Sequence, residues 1–201
     1  MSLISDEYNV NLVTMDEIFM SSYVDRWHML RTARPQSNAE HSYRVALIAI
    51  KTAQLVYGHF GLPLTAEIRE QVYERGLLHD IDEVMCGDTP GFVKNHYPAI
   101  REASALFWQD RLPCDYDKRV KWLVKYADIV EGYVYYYSNG GLGPHVDSTR
   151  RDWALANASD ALVAHLDSGC SVFGVDDSHF FKVVLKNLAI KRRLDVDPTH
   201  G

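Results

Sequence analysis

Four residues stand out by type and order: His41, the adjacent pair His79–Asp80, and Asp128. His41, the His79–Asp80 pair and Asp128 fall on three different candidate helices, on or beside the apolar side of each. Burying a carboxylate without a partner costs several kcal/mol, so inward Asp80 and Asp128 call for a compensating cation. Two imidazoles and two carboxylates form a mixed N/O donor set. Such a set suits Mn²⁺, Fe²⁺, Co²⁺ or Zn²⁺ better than thiophilic ions, and Mg²⁺ also stays open. A His–Asp dipeptide alone is a weak signal, because a buried histidine bonded to a backbone carbonyl is commoner than a metal ligand. The neighbours strengthen it. Glu83 lies one helical turn after His79, so its carboxylate can hang over the same face. Asp88 and Thr89 fall in the segment that follows, Lys94 closes it, and Lys125 precedes Asp128 by three residues. Two ammonium groups aimed at a metal site repel each other and the metal unless an anion such as phosphate lies between them. Taken singly, either lysine reads equally as part of a solvated face.

The elements that must position these groups are helical nearly throughout. Thr14 and Asp16 can open a first helix running to about Leu30. RTARPQSN reads as a loop ending in a Ser37/Asn38 cap. Val45, Ile48, Thr52 and Val56 then recur at helical spacing, with His41 four residues before Val45 on that side. GHFGLPLT breaks the pattern, and Thr65 supplies half a capping box, with Ile68 where Glu is usual. Ile68, Val72 and Gly76 lead at helical spacing into His79. CGDTPGFVK, rich in Gly, Pro and Asp, reads as a loop. Helices are expected over Pro98–Leu112, Lys118–Tyr137, about Asp152–Asp167 and His179–Leu194, with SNGGLGPH as a connection. The expectation is an all-α bundle forming one domain over residues 1–201.

Composition narrows the class. With 47% hydrophobic and 24% charged residues, the chain reads as folded rather than disordered. Cys86, Cys114 and Cys170 are odd in number and lack a CxxC pair, which suits a reducing cytoplasm. No secretory leader or membrane-spanning run is evident. A net charge of −6 argues against broad binding to duplex nucleic acid, although a pocket can be locally basic.

NAEHSYRVA, LLHDIDEVMCGDTPGFVK and LVKYADIVEGY resemble the successive motifs of the HD phosphohydrolase superfamily, over about residues 23–137. The likeness is to its branch of bacterial 5′-deoxynucleotidases and phage dATP triphosphohydrolases. It implies an HD-domain helical bundle, a metal held by His41, His79, Asp80 and Asp128, and Glu83 as the catalytic carboxylate beside it. DRWHMLR resembles the family's Arg–Trp motif, which implies that Arg26 contacts phosphate and Trp27 packs on the nucleoside. From position alone Trp27 reads as a core aromatic. The RWH form followed by AxxxxxAEH is closer to the phage enzymes, whereas GDTPGF departs from the family's GDLPTP-like loop.

The expected activity is therefore a dATP-preferring triphosphohydrolase of deoxynucleotides that releases deoxynucleoside and triphosphate. Asp88 would protonate the leaving 5′ oxygen, while Arg26, Lys94 and Lys125 neutralise phosphates. Met29 and the Pro90 loop would join Trp27 in holding base or sugar. The alternatives are a 5′-deoxynucleotidase acting on monophosphates and a catalytically silent nucleotide-sensing module. A host-cytoplasm location is expected if the chain is phage-encoded. The residues beyond the motifs are expected to be helices that pack on the bundle or build a homo-oligomer.

Overall fold

A computed structural model describes residues 13–27, 32–89, 91–108, 116–140 and 148–190. Of the positions singled out in the sequence, Met29, Pro90 and Cys114 lie outside the described residues. α1 spans Met15–Met20 and is capped by a full Thr14/Glu17 box. It ends at Ser21, well short of the expected length, because the chain turns there into a two-residue strand, β1, Asp25–Arg26. β2, Gln36–Ser37, pairs antiparallel with it, setting Asp25 opposite Ser37 and Arg26 opposite Gln36. This ribbon, with β1 inside the expected first helix and β2 inside the expected loop, pins Arg26 and Trp27 to the start of the next helix.

α2, Asn38–His59, begins where Ser37 accepts the Glu40 backbone N–H. α3, Ala66–Leu78, is capped by Thr65, which accepts from Ile68 N–H, the one half of the box that Ile68 leaves possible. Such caps contribute about 1 kcal/mol each. α4, Glu83–Cys86, is one turn; α5, Gly91–His96, is helical where the sequence suggests only loop. Its glycine stands at the first position rather than in the interior, where it would disfavour a helix. α6, Pro98–Trp108, follows, and α7, Lys118–Asn139, opens on an Asp117 cap. α8 covers Ser148–Asp167 and α9, Gly169–Phe173, is a further short helix. The last segment opens as a π-helix, Phe180–Leu185, and continues as α10, Lys186–Ile190. Among the described residues the bundle is all-α apart from this two-stranded ribbon and a single bridge between Thr32 and Gly140.

α2 packs on α3 and α7, and α7 on α8. Val45, Ala49, Ala53 and Val56 of α2 and Val120, Leu123 and Ala127 of α7 are fully buried at this contact. Each fully buried Val or Leu contributes roughly 1.5–3 kcal/mol. His41 and Asp128 extend the same two faces by one turn, so the core that joins the helices also aligns the ligands. α3 comes close because Gly76 has no side chain: a Cβ there would lie 2.7 Å from the Ala46 Cα. Gly76→Ala is accordingly expected to destabilise the protein by about 1–3 kcal/mol, read as a lowered denaturation midpoint. An unchanged midpoint would show that α3 shifts without cost. Among the described residues no helix is long and apolar enough to cross a membrane.

Candidate metal centre

His79 caps the C-terminus of α3, and its Nδ1 lies 2.9 Å from the Gly76 carbonyl. A carbonyl only accepts, so Nδ1 carries the proton and Nε2 offers a lone pair. His41, wholly buried on α2, has Nδ1 2.7 Å from a Glu131 carboxylate oxygen and likewise turns Nε2 inward. The two Nε2 atoms are 3.2 Å apart. Asp80 Oδ2 stands 3.3 Å from His79 Nε2, and Asp128 Oδ1 is 3.4 Å from His41 Nε2. Ligand atoms of all four residues fall within 4.8 Å of one another. Lone pairs converging this closely repel unless a cation lies among them, so the donor set fits a divalent metal. Burial alone would raise both aspartates; His79 and the Arg26 guanidinium beside Asp80, and the Lys125 ammonium with the His41 hydrogen bond at Asp128, outweigh it and hold both carboxyls well below the usual range.

The other candidates gather at the rim. Arg26 Nη1 donates to Asp80 Oδ2 at 2.8 Å and stands 4.0 Å from Glu83 Oε2. Glu83, on α4, is 2% exposed. Burial, joined by the Asp80 charge, pushes its carboxyl up to about 8, and Lys94 and Arg26 offset only part of this. Glu83 Oε2 and Arg26 Nε are buried without hydrogen-bond partners among the described residues. An orphan acceptor beside an orphan donor marks a place for a polar ligand or water. Lys94 and Lys125 do not point bare at the centre: Lys94 donates to Glu83 at 2.9 Å and Lys125 to Asp128 at 2.7 Å. Asp88 accepts the Trp27 backbone N–H at 3.1 Å.

Trp27 adopts φ +67°, the left-handed region that costs a bulky residue energy and persists only where its surroundings fix it. Its ring stacks on Tyr135 and Tyr136, with centroids 6.0 and 5.3 Å away. A cavity of about 190 Å³ lies beside it, walled by Arg26, Asp128, Tyr133 and, from α8, Ala154 and Ala158. Sequence reading missed Glu131, Gln36 and this wall from α8. Glu131 had a signal, since it follows Asp128 by three residues on one helix face. Gln36 and the α8 residues had none.

The chain resembles the HD phosphohydrolase superfamily. A family model described as 5′-deoxynucleotidase YfbR-like matches residues 17–107. A 5′-deoxynucleotidase of Photorhabdus laumondii is 35% identical over 77 residues, and one of Vibrio parahaemolyticus is 34% identical over 77. These matches cover 38% of this chain, and the chain spans 38% of the length of those curated relatives. Among solved structures, the cyanophage S-2L HD phosphohydrolase DatZ, bound to dA and one catalytic Zn²⁺ ion, shares the fold. Its TM-score is 0.58 at 24% identity, over 88% of this chain and 98% of that one. A conserved hypothetical protein from Pyrococcus furiosus gives 0.51 at 20% identity.

Proposed function

We propose that this chain is a metal-dependent phosphohydrolase of deoxynucleotides, and that a 5′-deoxynucleoside monophosphate is its substrate. The observation that carries the reading is the convergence of four metal-capable ligands with the unpartnered Glu83 Oε2 and Arg26 Nε. A divalent ion held by His41, His79, Asp80 and Asp128 supplies Lewis acidity toward phosphoryl oxygens and acidifies water. Arg26 holds the phosphate through its free Nε–H. Glu83 Oε2 orients the attacking water and takes its proton; a cation that neutralises Asp80 removes part of the repulsion that raises Glu83. The proton that Glu83 takes passes to the leaving 5′ oxygen by way of Asp88, which also fixes the Trp27 backbone. The cavity beside Trp27 is smaller than the roughly 300–1,000 Å³ of pockets for drug-sized ligands, and takes the base or sugar alone.

The monophosphate is preferred to the triphosphate of our sequence expectation for two reasons. The matched relatives are named 5′-deoxynucleotidases, and Lys94 and Lys125 are already neutralised by carboxylates. The triphosphate reading keeps one support, the presence of these two extra cations at the rim. A panel of dNMPs, dNTPs and NTPs with Mn²⁺ or Co²⁺, resolved by chromatography, separates the two. We expect dNMPs to be turned over best, with orthophosphate as product, and Lys94→Ala and Lys125→Ala to harm dAMP at least as much as dATP. Intact triphosphate released from dATP, with roughly tenfold or greater selective loss of kcat/KM on dATP in either lysine variant, would establish the triphosphate reading instead.

A further inference from the structure

The hydrogen bonds behind His41 have a direction that can be read from their far end. An indole N–H only donates, so the Gln36 side-chain oxygen must be the atom 2.8 Å from Trp27 Nε1. That choice turns the Gln36 amide nitrogen toward Glu131, where Nε2 donates to Oε1 at 2.8 Å. Glu131 Oε2 then accepts the His41 Nδ1 proton at 2.7 Å, leaving Nε2 unprotonated. Gln36 and His41 are 0% exposed and Glu131 2%, so bulk water does not compete for these groups. Arg44 Nη1, 3.4 Å from Glu131 Oε1, supplies countercharge. At the outer end Trp27 is held by its stacking on two tyrosines and by Asp88 on its backbone.

We infer that Gln36 and Glu131 are positioning residues: a directed hydrogen-bond relay from the Trp27 indole fixes the His41 tautomer and ring orientation that present Nε2 to the metal. The inference rests on the reading that His41, His79, Asp80 and Asp128 hold a metal. It also ties the wall of the nucleoside cavity to the metal ligand, because Trp27 belongs to both. A carboxylate behind a ligating imidazole raises its basicity and fixes its aim. Plain satisfaction of buried polar groups predicts nothing about the order of donors and acceptors; the relay does.

The test is a charge swap read by metal affinity, with Zn²⁺ titrated into the full chain against a chromophoric chelator. Glu131→Gln leaves a donor facing a donor whichever way the two amides turn. Gln36→Glu sets two carboxylates face to face. Each single variant is expected to lose about 10–100-fold in Zn²⁺ affinity. The double variant restores an acceptor to every donor, with the carboxylate one link further from His41, and is expected to regain most of that loss. Trp27→Phe keeps the stacking and removes only the first donor; about fivefold weaker binding is expected, one hydrogen bond's worth. It decides the matter, together with the double variant, should a single variant fail to fold. A folded Glu131→Gln protein with parental affinity overturns the relay, as does a double variant no better than the singles, or an unaltered Trp27→Phe where a single variant does not fold. A parent that binds no Zn²⁺ removes the metal reading and the relay together. A parent that binds Zn²⁺ but hydrolyses no deoxynucleotide removes the proposed function and leaves the relay standing.

Discussion

Alanine at His79 or Asp128 is expected to abolish both divalent-metal binding and phosphate release, while far-UV circular dichroism stays that of the parent. The two ligands stand on separate helices, at the end of α3 and in the middle of α7, and neither helps to build the apolar contact that joins those helices to α2. Removing either leaves the core intact but takes one donor from a set of four. Changes behind a ligand typically cost 10–100-fold in metal affinity, and loss of a ligand itself should cost more. A linked effect on stability follows. An ion bound only by the folded chain stabilises it by about 2.7 kcal/mol at a hundred times its Kd, so metal should raise the denaturation midpoint of the parent and leave these variants unmoved. Full turnover at a normal metal load in either variant would rule out the centre.

Glu83→Gln should lower kcat by about 10²-fold or more with metal affinity little changed. The carboxylate is buried beside Asp80 and Arg26 yet is not among the four converging ligands. The amide keeps its volume and a donor–acceptor pair but cannot take a proton. A fall in kcat with KM held separates a chemical role from a binding one. Lys94, whose Nζ lies 2.9 Å from Glu83, loses its ionic partner in this variant and becomes free to bind anions, so KM for a charged substrate should not rise. Turnover near that of the parent would transfer the role to Asp88.

The convergence of the four candidate ligands was legible in part because two of them continue apolar helical stripes: His41 precedes Val45 on α2, and Asp128 follows Val124 on α7. The spacing that flags Glu83 and Lys125 also fits Glu131, which lies behind His41 rather than at the centre itself. Gln36 was opaque for a physical reason. Its role depends on a two-residue ribbon whose pairing spans residues distant enough in sequence that no local period announces them. α5 was hidden by a glycine at its start, and α1 was read too long because the turn at Ser21–Tyr23 carries neither glycine nor proline. The neutralised state of Lys94 is a tertiary fact, since its partner Glu83 is fixed by where α4 and α5 come to rest, whereas the Lys125–Asp128 pair is local to α7 and lies within reach of its three-residue spacing. The likeness to known HD proteins covers the first two motif groups directly, while Asp128 lies beyond residues 17–107 and is brought to the centre by the fold.

α7 has a consequence for how this protein can change over generations. Asp128, Glu131, Gly132, Tyr135 and Tyr136 stand at positions i, i+3, i+4, i+7 and i+8 of one helix face, so a candidate metal donor, the carboxylate behind His41 and the aromatic wall ride on one rigid rod. A single inserted or deleted residue between Asp128 and Tyr136 would rotate one end of that rod against the other by about 100°. Ion and substrate would then be lost in the same event. Exchanges of side chain at Tyr133 or at Ala154 and Ala158 opposite carry no such penalty, because they alter the cavity while the spacing stays whole. Substrate preference on this scaffold is therefore free to drift by substitution and closed to drift by length.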